Sequence, residues 1–317
     1  MSFKIKLITI FLALIVGDSV LNSAERIHAA KNTKPIIKEI KVSTDNVNLF
    51  VRTAGDLSSD NVLLAINGGP GQSSRYMRDL ERLAGAAFAV VTYDQRGTGH
   101  STEPSNGGYG LDAYTADLEA IRKAVGAEKV HLLGHSWGGI LTMHYAAVYP
   151  QNVRSIILVA SGPPTREVVE AGQTLLNERI AVLQDQGVIP QTRPDNAKNL
   201  IEFILPAYFS DPDFPVPVEL KNTDFNAATY QQTMEALGDW DLSADAAKLT
   251  LPVLLLWGED DPFGLPMAEA TKKALSNAEV EFVVLKGCGH YWHECPNKFF
   301  SRVRDFLKRL SNPSGRK

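Results

Sequence analysis

Short apolar runs rich in Val, Ile and Leu recur along the chain at residues 47–51, 62–66, 88–92, 130–133 and 156–159. Continuous rather than alternating apolarity is the mark of strands buried on both faces. Between these runs, residues 76–84, 113–125 and 140–148 have helical length and spaced apolar positions, and Gly85 and Gly126 offer helix stops. Strand and helix alternate, which predicts a mostly parallel central sheet flanked by helices. The alternation breaks after Gly162-Pro163-Pro164, where residues 165–246 hold helical stretches and a turn-rich segment at 206–217 but no comparable strand series. It resumes with strands at 253–257 and 280–285 and a closing amphipathic helix over 298–310, whose apolar side carries Phe299, Phe300, Val303, Phe306 and Leu307. The economical organisation is one α/β core, residues 36–162 and 247–312, split by a helical cap at 163–246. Such an insertion lies over the carboxyl ends of the strands, where open sheets keep their ligand sites.

The first residues follow another pattern. Lys4 and Lys6 precede the apolar run 7–16, and small or polar residues follow to Ala24. This is the order of a secretory signal peptide over residues 1–24, and the run is short of the roughly 20 residues that span a bilayer. The expected location is therefore periplasmic or extracellular, with an uncleaved N-terminal anchor as the competing reading and no stable transmembrane domain expected. Composition narrows the rest. The 317 residues are 44% hydrophobic and 21% charged, a globular profile. The formal net charge of -4 comes without a basic run, which makes nucleic acid a poor partner. The two cysteines, Cys288 and Cys295, show no metal-ligand spacing, and no metal or organic cofactor is expected. In an oxidising compartment they can bridge across the loop that holds His290; two free thiols are the alternative.

The strongest chemical signal is Gly134-His135-Ser136-Trp137-Gly138, set between a strand and a helix. A serine in Gly-x-Ser-x-Gly at such a junction stands on a sharp turn with its hydroxyl clear of the backbone. It needs a base, and the base needs an acid to hold its tautomer. Both are expected downstream in the order Ser, Asp, His. Asp261 and Asp260 follow the strand 253–257, and His290 follows 280–285. Asp261, three residues beyond Gly258, has the better claim; His293, without the Gly-x-Gly lead-in of His290, is the rival base. Trp137 supplies one N–H for an oxyanion. Gly69 supplies the second from the loop Asn67-Gly68-Gly69-Pro70-Gly71, because Pro70 has none. Asp94 and Arg96, in Asp94-Gln95-Arg96-Gly97-Thr98-Gly99-His100-Ser101, are expected to brace adjacent loops.

These strings together resemble the proline iminopeptidase group of α/β-hydrolases. Gly68 to Gly71, Asp94 to Ser101 and Gly134 to Gly138 look like that group's three motifs, and the likeness spans almost the whole mature chain. The resemblance implies the α/β-hydrolase fold with a helical cap, a Ser136–Asp261–His290 triad, oxyanion donors from Gly69 and Trp137, and short peptides as substrates. The expected activity is release of N-terminal proline, or another N-terminal residue. A carboxylesterase, lactonase or other acyl hydrolase using the same triad is the alternative. Two departures stand out: Asn67 replaces the group's usual His, and the group's Trp-Glu segment near the start of the cap has no clear match. Cap glutamates hold the substrate ammonium in that group. Glu202 and Glu235 are candidates here by location, with Glu170 and Glu178 behind them.

Overall fold

The computed structural model describes residues 35–311 apart from 45, 86 and 195–199. The expected signal peptide lies outside the described residues. Eight strands form one sheet: β1 Ile37–Ser43, β2 Asn48–Ala54, β3 Val62–Ile66, β4 Ala89–Tyr93, β5 Val130–His135, β6 Val153–Val159, β7 Pro252–Gly258 and β8 Glu279–Leu285. Their order is β1-β2-β4-β3-β5-β6-β7-β8. β1 with β2 and β2 with β4 are antiparallel pairs, and from β4 onward every neighbour is parallel.

The reason for the continuous apolar runs is visible in the core. Successive residues of one strand enter different apolar layers, because side chains alternate across a sheet. Leu64, Leu132, Ile156 and Leu255 pack on one face against Tyr114, Leu118 and Leu141. Their neighbours Leu63, Leu133, Ile157 and Leu254 pack on the other against Tyr76, Phe299, Phe300 and Val303. The first layer is covered by helices Leu111–Ala124 and Trp137–Val148, and the second by the 3₁₀ segment Arg75–Leu83 and helix Pro296–Ser311.

Segment 76–84, expected as an α-helix, is thus a 3₁₀ segment, and two elements were not anticipated. β1 is an edge strand whose pattern, Ile37-Lys38-Glu39-Ile40-Lys41-Val42, is largely exposed. Helix Leu265–Ala274 buries only Met267, Ala268 and Thr271, too narrow a stripe to stand out. Between β6 and β7 the described residues hold helices Arg166–Asp185, Leu200–Ile204, Val218–Lys221, Ala227–Leu237 and Ser243–Lys248 and no strand. Among the described residues no helix is long and apolar enough to cross a membrane. The loops after β3, β5, β7 and β8 all leave the carboxyl end of a parallel sheet, which gathers the segments 67–71, 135–137, 259–261 and 286–290 at one rim.

Candidate active site

Ser136 joins β5 to helix Trp137–Val148 with φ 53° and ψ −122°, a backbone state that L-residues rarely adopt. Holding a non-glycine residue there costs on the order of 1–3 kcal/mol, so the surroundings must enforce it. They do so by close packing. A Cβ on Gly138 would lie 2.2 Å from the carbonyl oxygen of Ile66, and one on Gly134 would lie 2.4 Å from that of Gly138. Only glycine fits at either position, which is the physical content of Gly-x-Ser-x-Gly here. The turn leaves Ser136 partly exposed between the buried residues His135 and Trp137.

His290 and Asp261 are brought together at the same rim. His290 Nδ1 lies 2.9 Å from Asp261 Oδ2, and the Asp261 side chain is wholly buried. A carboxylate only accepts, so Nδ1 carries the proton and Nε2 of the neutral ring is left with its lone pair. The other carboxylate oxygen of Asp261 accepts the Phe263 main-chain N–H at 3.0 Å. Asp260 is engaged elsewhere, accepting the Ser210 hydroxyl at 2.6 Å. The His290 ring packs 4.8 Å from the ring of His135, the residue before Ser136. His293 stacks on Trp292, and burial holds its ring below the ordinary histidine range.

The loop after β3 is held from inside. Asn67 Nδ2 donates to the carbonyls of Gly68 and Gln72, both at 2.8 Å, tying the loop's two ends together. Gln95, which sequence reasoning passed over, donates to the Asn67 carbonyl and accepts from the Trp137 indole N–H, each at 2.9 Å. One side chain therefore joins the Gly-Gly-Pro-Gly loop to the helix that starts beside Ser136. Asp94 accepts both the N–H and the hydroxyl of Ser74 at 2.8 Å and the His100 N–H at 2.8 Å. Arg96 is paired with Asp117 rather than with Asp94. Both partners are buried, with two bonds of 2.8 Å. Burial pushes the Asp117 carboxyl up and the guanidinium opposes it. Among the described residues neither the Gly69 nor the Trp137 N–H is spent on another main-chain carbonyl.

Around His290 the chain is stapled. Cys288 and Cys295 form a disulfide with Cα atoms 5.8 Å apart. Glu294, inside that ring, also escaped sequence reasoning, because nothing in its neighbours distinguishes it from a solvated helix-end carboxylate. It accepts main-chain N–H groups from Gly289, Ser210 and Asp211 at 2.7–2.9 Å. Of the cap carboxylates, Glu202 lines a small cavity with Gln72, Leu205, Leu220, Lys221 and Thr223. Glu235 is exposed and accepts from Gln231, Glu170 is exposed and paired with Arg166, and Glu178 is exposed. No group of three or more His, Cys, Asp or Glu side chains suited to a metal ion occurs among the described residues.

The chain is similar to known proteins. A proline iminopeptidase of Thermoplasma volcanium is 28% identical over 244 residues, covering 72% of this chain and 82% of that protein. One from Saccharolobus solfataricus is 26% identical over 297 residues, covering 83% of this chain and 90% of that protein. The crystal structure of a proline iminopeptidase from Mycobacterium smegmatis superposes with a TM-score of 0.67 at 22% identity, covering 87% of this chain and all of that one, a likeness of fold. The alpha/beta hydrolase fold family matches residues 61–294. With that match over most of its length, and with the sheet order and strand-end site described above, the chain belongs to the α/β-hydrolase fold family and is a hydrolase.

Proposed function

We propose that this hydrolase is a serine-dependent aminopeptidase that releases an N-terminal residue, proline foremost, from short peptides through an acyl-enzyme on Ser136. One observation carries the reading: the buried Asp261 carboxylate fixes His290 as the Nδ1–H tautomer at the rim where Ser136 stands on its strained turn. In this mechanism His290 Nε2 removes the Ser136 proton as the oxygen attacks the scissile carbonyl. The Gly69 and Trp137 N–H groups receive the oxyanion. Collapse expels the amine of the second residue, which leaves with the proton held by His290. Water then repeats the sequence, its proton passing to His290 and its oxygen to the acyl carbon, and the free amino acid departs.

The choice of an N-terminal residue is supported by relatives named proline iminopeptidases and by Glu202 at a cavity beside the 67–71 loop. Export is part of the same proposal, and the Cys288–Cys295 bridge supports it because disulfides persist in oxidising compartments. The second reading, a carboxylesterase or lactonase, is favoured by Lys221 lining the cavity of Glu202, a resident cation that competes with a substrate ammonium. A fluorophosphonate probe and prolyl-amide turnover, with Ser136→Ala as comparison, test the proposal. The wild type should label at Ser136 and release proline. A folded protein that does neither would refute it.

A further inference from the structure

The residue before the nucleophile is a histidine with both ring nitrogens engaged, and the two bonds together fix its tautomer. His135 Nε2 lies 3.0 Å from the main-chain carbonyl oxygen of His290. A carbonyl only accepts, so Nε2 carries the proton and Nδ1 must be the acceptor. Nδ1 lies 2.7 Å from the Tyr76 hydroxyl, which therefore donates to it. The same hydroxyl oxygen accepts the Gly68 main-chain N–H at 2.6 Å. The result is a one-way chain: Gly68 N–H to Tyr76 Oη, Tyr76 O–H to His135 Nδ1, His135 Nε2–H to the His290 carbonyl. Tyr76 is wholly buried and His135 almost so. Burial also holds the His135 imidazole well below its ordinary range, which keeps it neutral and preserves the direction of every bond.

We infer that Tyr76 and His135 are positioning residues that set the loop carrying the oxyanion donor and the backbone of His290 in register across Ser136. The inference rests on the serine-hydrolase reading above. The chain begins in the loop of Gly68 and Gly69 and ends on the residue proposed as base. Between the two it passes against the nucleophile, since a Cβ on Gly68 would lie 3.1 Å from both Ser136 Cβ and His135 Nδ1. In a low-dielectric site such bonds polarise one another, and a gap in the middle leaves buried groups on both sides unpaired. The Gly68 N–H and His135 Nδ1 both lose their partner in Tyr76→Phe, whose ring still fills the same space. The loss should fall on attack geometry rather than on substrate contacts, because none of the three bonds involves a cavity-lining cap residue.

The test has two arms. On the wild-type protein, ¹⁵N NMR of the histidine side chains at pH 7 should show His135 as the neutral Nε2–H tautomer; an Nδ1–H or doubly protonated ring would overturn the chain regardless of activity. On Tyr76→Phe, kcat and the rate of fluorophosphonate labelling should fall together by about 10- to 100-fold while KM stays within about threefold, the pattern of a lost transition-state contact. His135→Gln, which keeps a donor for the His290 carbonyl, should retain several-fold more activity than His135→Leu. Unchanged kcat in Tyr76→Phe, or a change confined to KM, would refute the positioning role. Absence of labelling in the wild type would instead refute the serine-hydrolase reading, with the NMR result still standing or falling by itself.

Discussion

Glu294 accepts the main-chain N–H of Ser210 at 2.9 Å with the same oxygen that accepts the N–H of Gly289 at 2.9 Å. The first donor belongs to the helical region between β6 and β7, the second to the loop that carries His290, so one carboxylate oxygen clamps the two. Three further contacts run across the same seam. The His290 N–H donates to the Tyr208 carbonyl at 2.8 Å, the Ser210 hydroxyl to Asp260, and the Asp211 N–H to the other oxygen of Glu294. A Cβ on Gly289 would lie 2.3 Å from the Tyr208 carbonyl oxygen, so the approach is as close as backbones allow.

Removing the clamp should therefore disturb both stability and turnover. Hydrogen bonds to a charged group contribute about 1.5–3 kcal/mol, and Glu294→Ala strands three N–H donors at once. A loss of at least about 2 kcal/mol is expected in urea unfolding, with kcat reduced about tenfold or more. Glu294→Gln should fall between, because one amide oxygen still serves Ser210 and Gly289 while its NH₂ opposes the Asp211 N–H. Wild-type kcat in a folded Glu294→Ala protein would show that the seam does not position the base.

The two neighbouring aspartates make a sharper test of the triad. Asp261 holds the His290 tautomer, whereas Asp260 holds Ser210. Asp261→Asn should lower kcat by about 10³- to 10⁴-fold by favouring the wrong tautomer, and Asp260→Asn by no more than a few-fold. Ser136→Ala and His290→Ala should each remove nearly all turnover, and the double variant should be little worse than either. Equal effects of the two Asn substitutions, measured as kcat/KM, would move the acid's role away from Asp261.

Much of this site was legible in the sequence because its signals are local. The strand-turn-helix setting of Ser136, the Gly-Gly-Pro-Gly loop after β3 and the Gly-x-Gly lead-in to His290 are each contained in a few consecutive residues. The central strands were legible for the same reason, since burial on both faces writes an unbroken apolar run. Gln95, Tyr76 and Glu294 were not, because their roles come from partners far along the chain: Gln95 joins Asn67 to Trp137, and Glu294 reaches Ser210. No spacing rule connects such positions. Arg96 shows the intermediate case, a bracing role that was anticipated and a partner, Asp117, that was not.

Acid should destabilise the protein through a second histidine of β5. Burial lowers His131 from its ordinary value near 6.5 to about 4, and its Nδ1 is bonded to the Ser155 hydroxyl at 2.8 Å. Between those values the unfolded chain binds a proton that the folded chain does not. Stability is therefore complete above about pH 6.5, falls as pH drops, and levels off below about pH 4, a loss on the order of 3 kcal/mol from this residue. His135, also held low by burial, adds in the same direction. His131→Asn keeps a partner for Ser155 but cannot titrate. Its urea midpoint should fall less than the wild type's between pH 7.5 and 4.5; an identical fall would exclude His131 as the source.

The disulfide closes a short ring around His290, so its loss should be felt in both stability and rate. For a loop of this length the chain-entropy account gives about 2 kcal/mol, which lowers Tm by several degrees. Replacing Cys288 and Cys295 with Ser should produce that shift together with a lower kcat, since the ring also contains Glu294. Protein recovered from an oxidising compartment should show no alkylatable thiol under denaturing, non-reducing conditions. Two free thiols there would argue against the bridge and weaken the case for export.

Recognition of an unblocked N-terminus is the prediction that separates peptidase from esterase. A free α-ammonium group pairs with a carboxylate in a partly desolvated site, whereas an acetylated terminus carries no charge to offer it. On the proposed reading Glu202 makes that pair, at the cavity it shares with Lys221 and with Gln72, the residue that follows the 67–71 loop. Gln72 also lies beside Tyr291, whose hydroxyl burial pushes up to about 12. Free prolyl amide should be cleaved far faster than N-acetyl-prolyl amide. Glu202→Gln should lower kcat/KM for the free substrate by about 10- to 100-fold while leaving a short-chain p-nitrophenyl ester within about twofold, because only the first carries the ammonium group. Glu235→Gln, altering an exposed side chain bonded to Gln231, should change neither. Comparison of prolyl, alanyl and leucyl amides then ranks the first-residue preference. Equal cleavage of free and acetylated amides, or ester hydrolysis without amide cleavage, would discard ammonium recognition and favour the esterase reading.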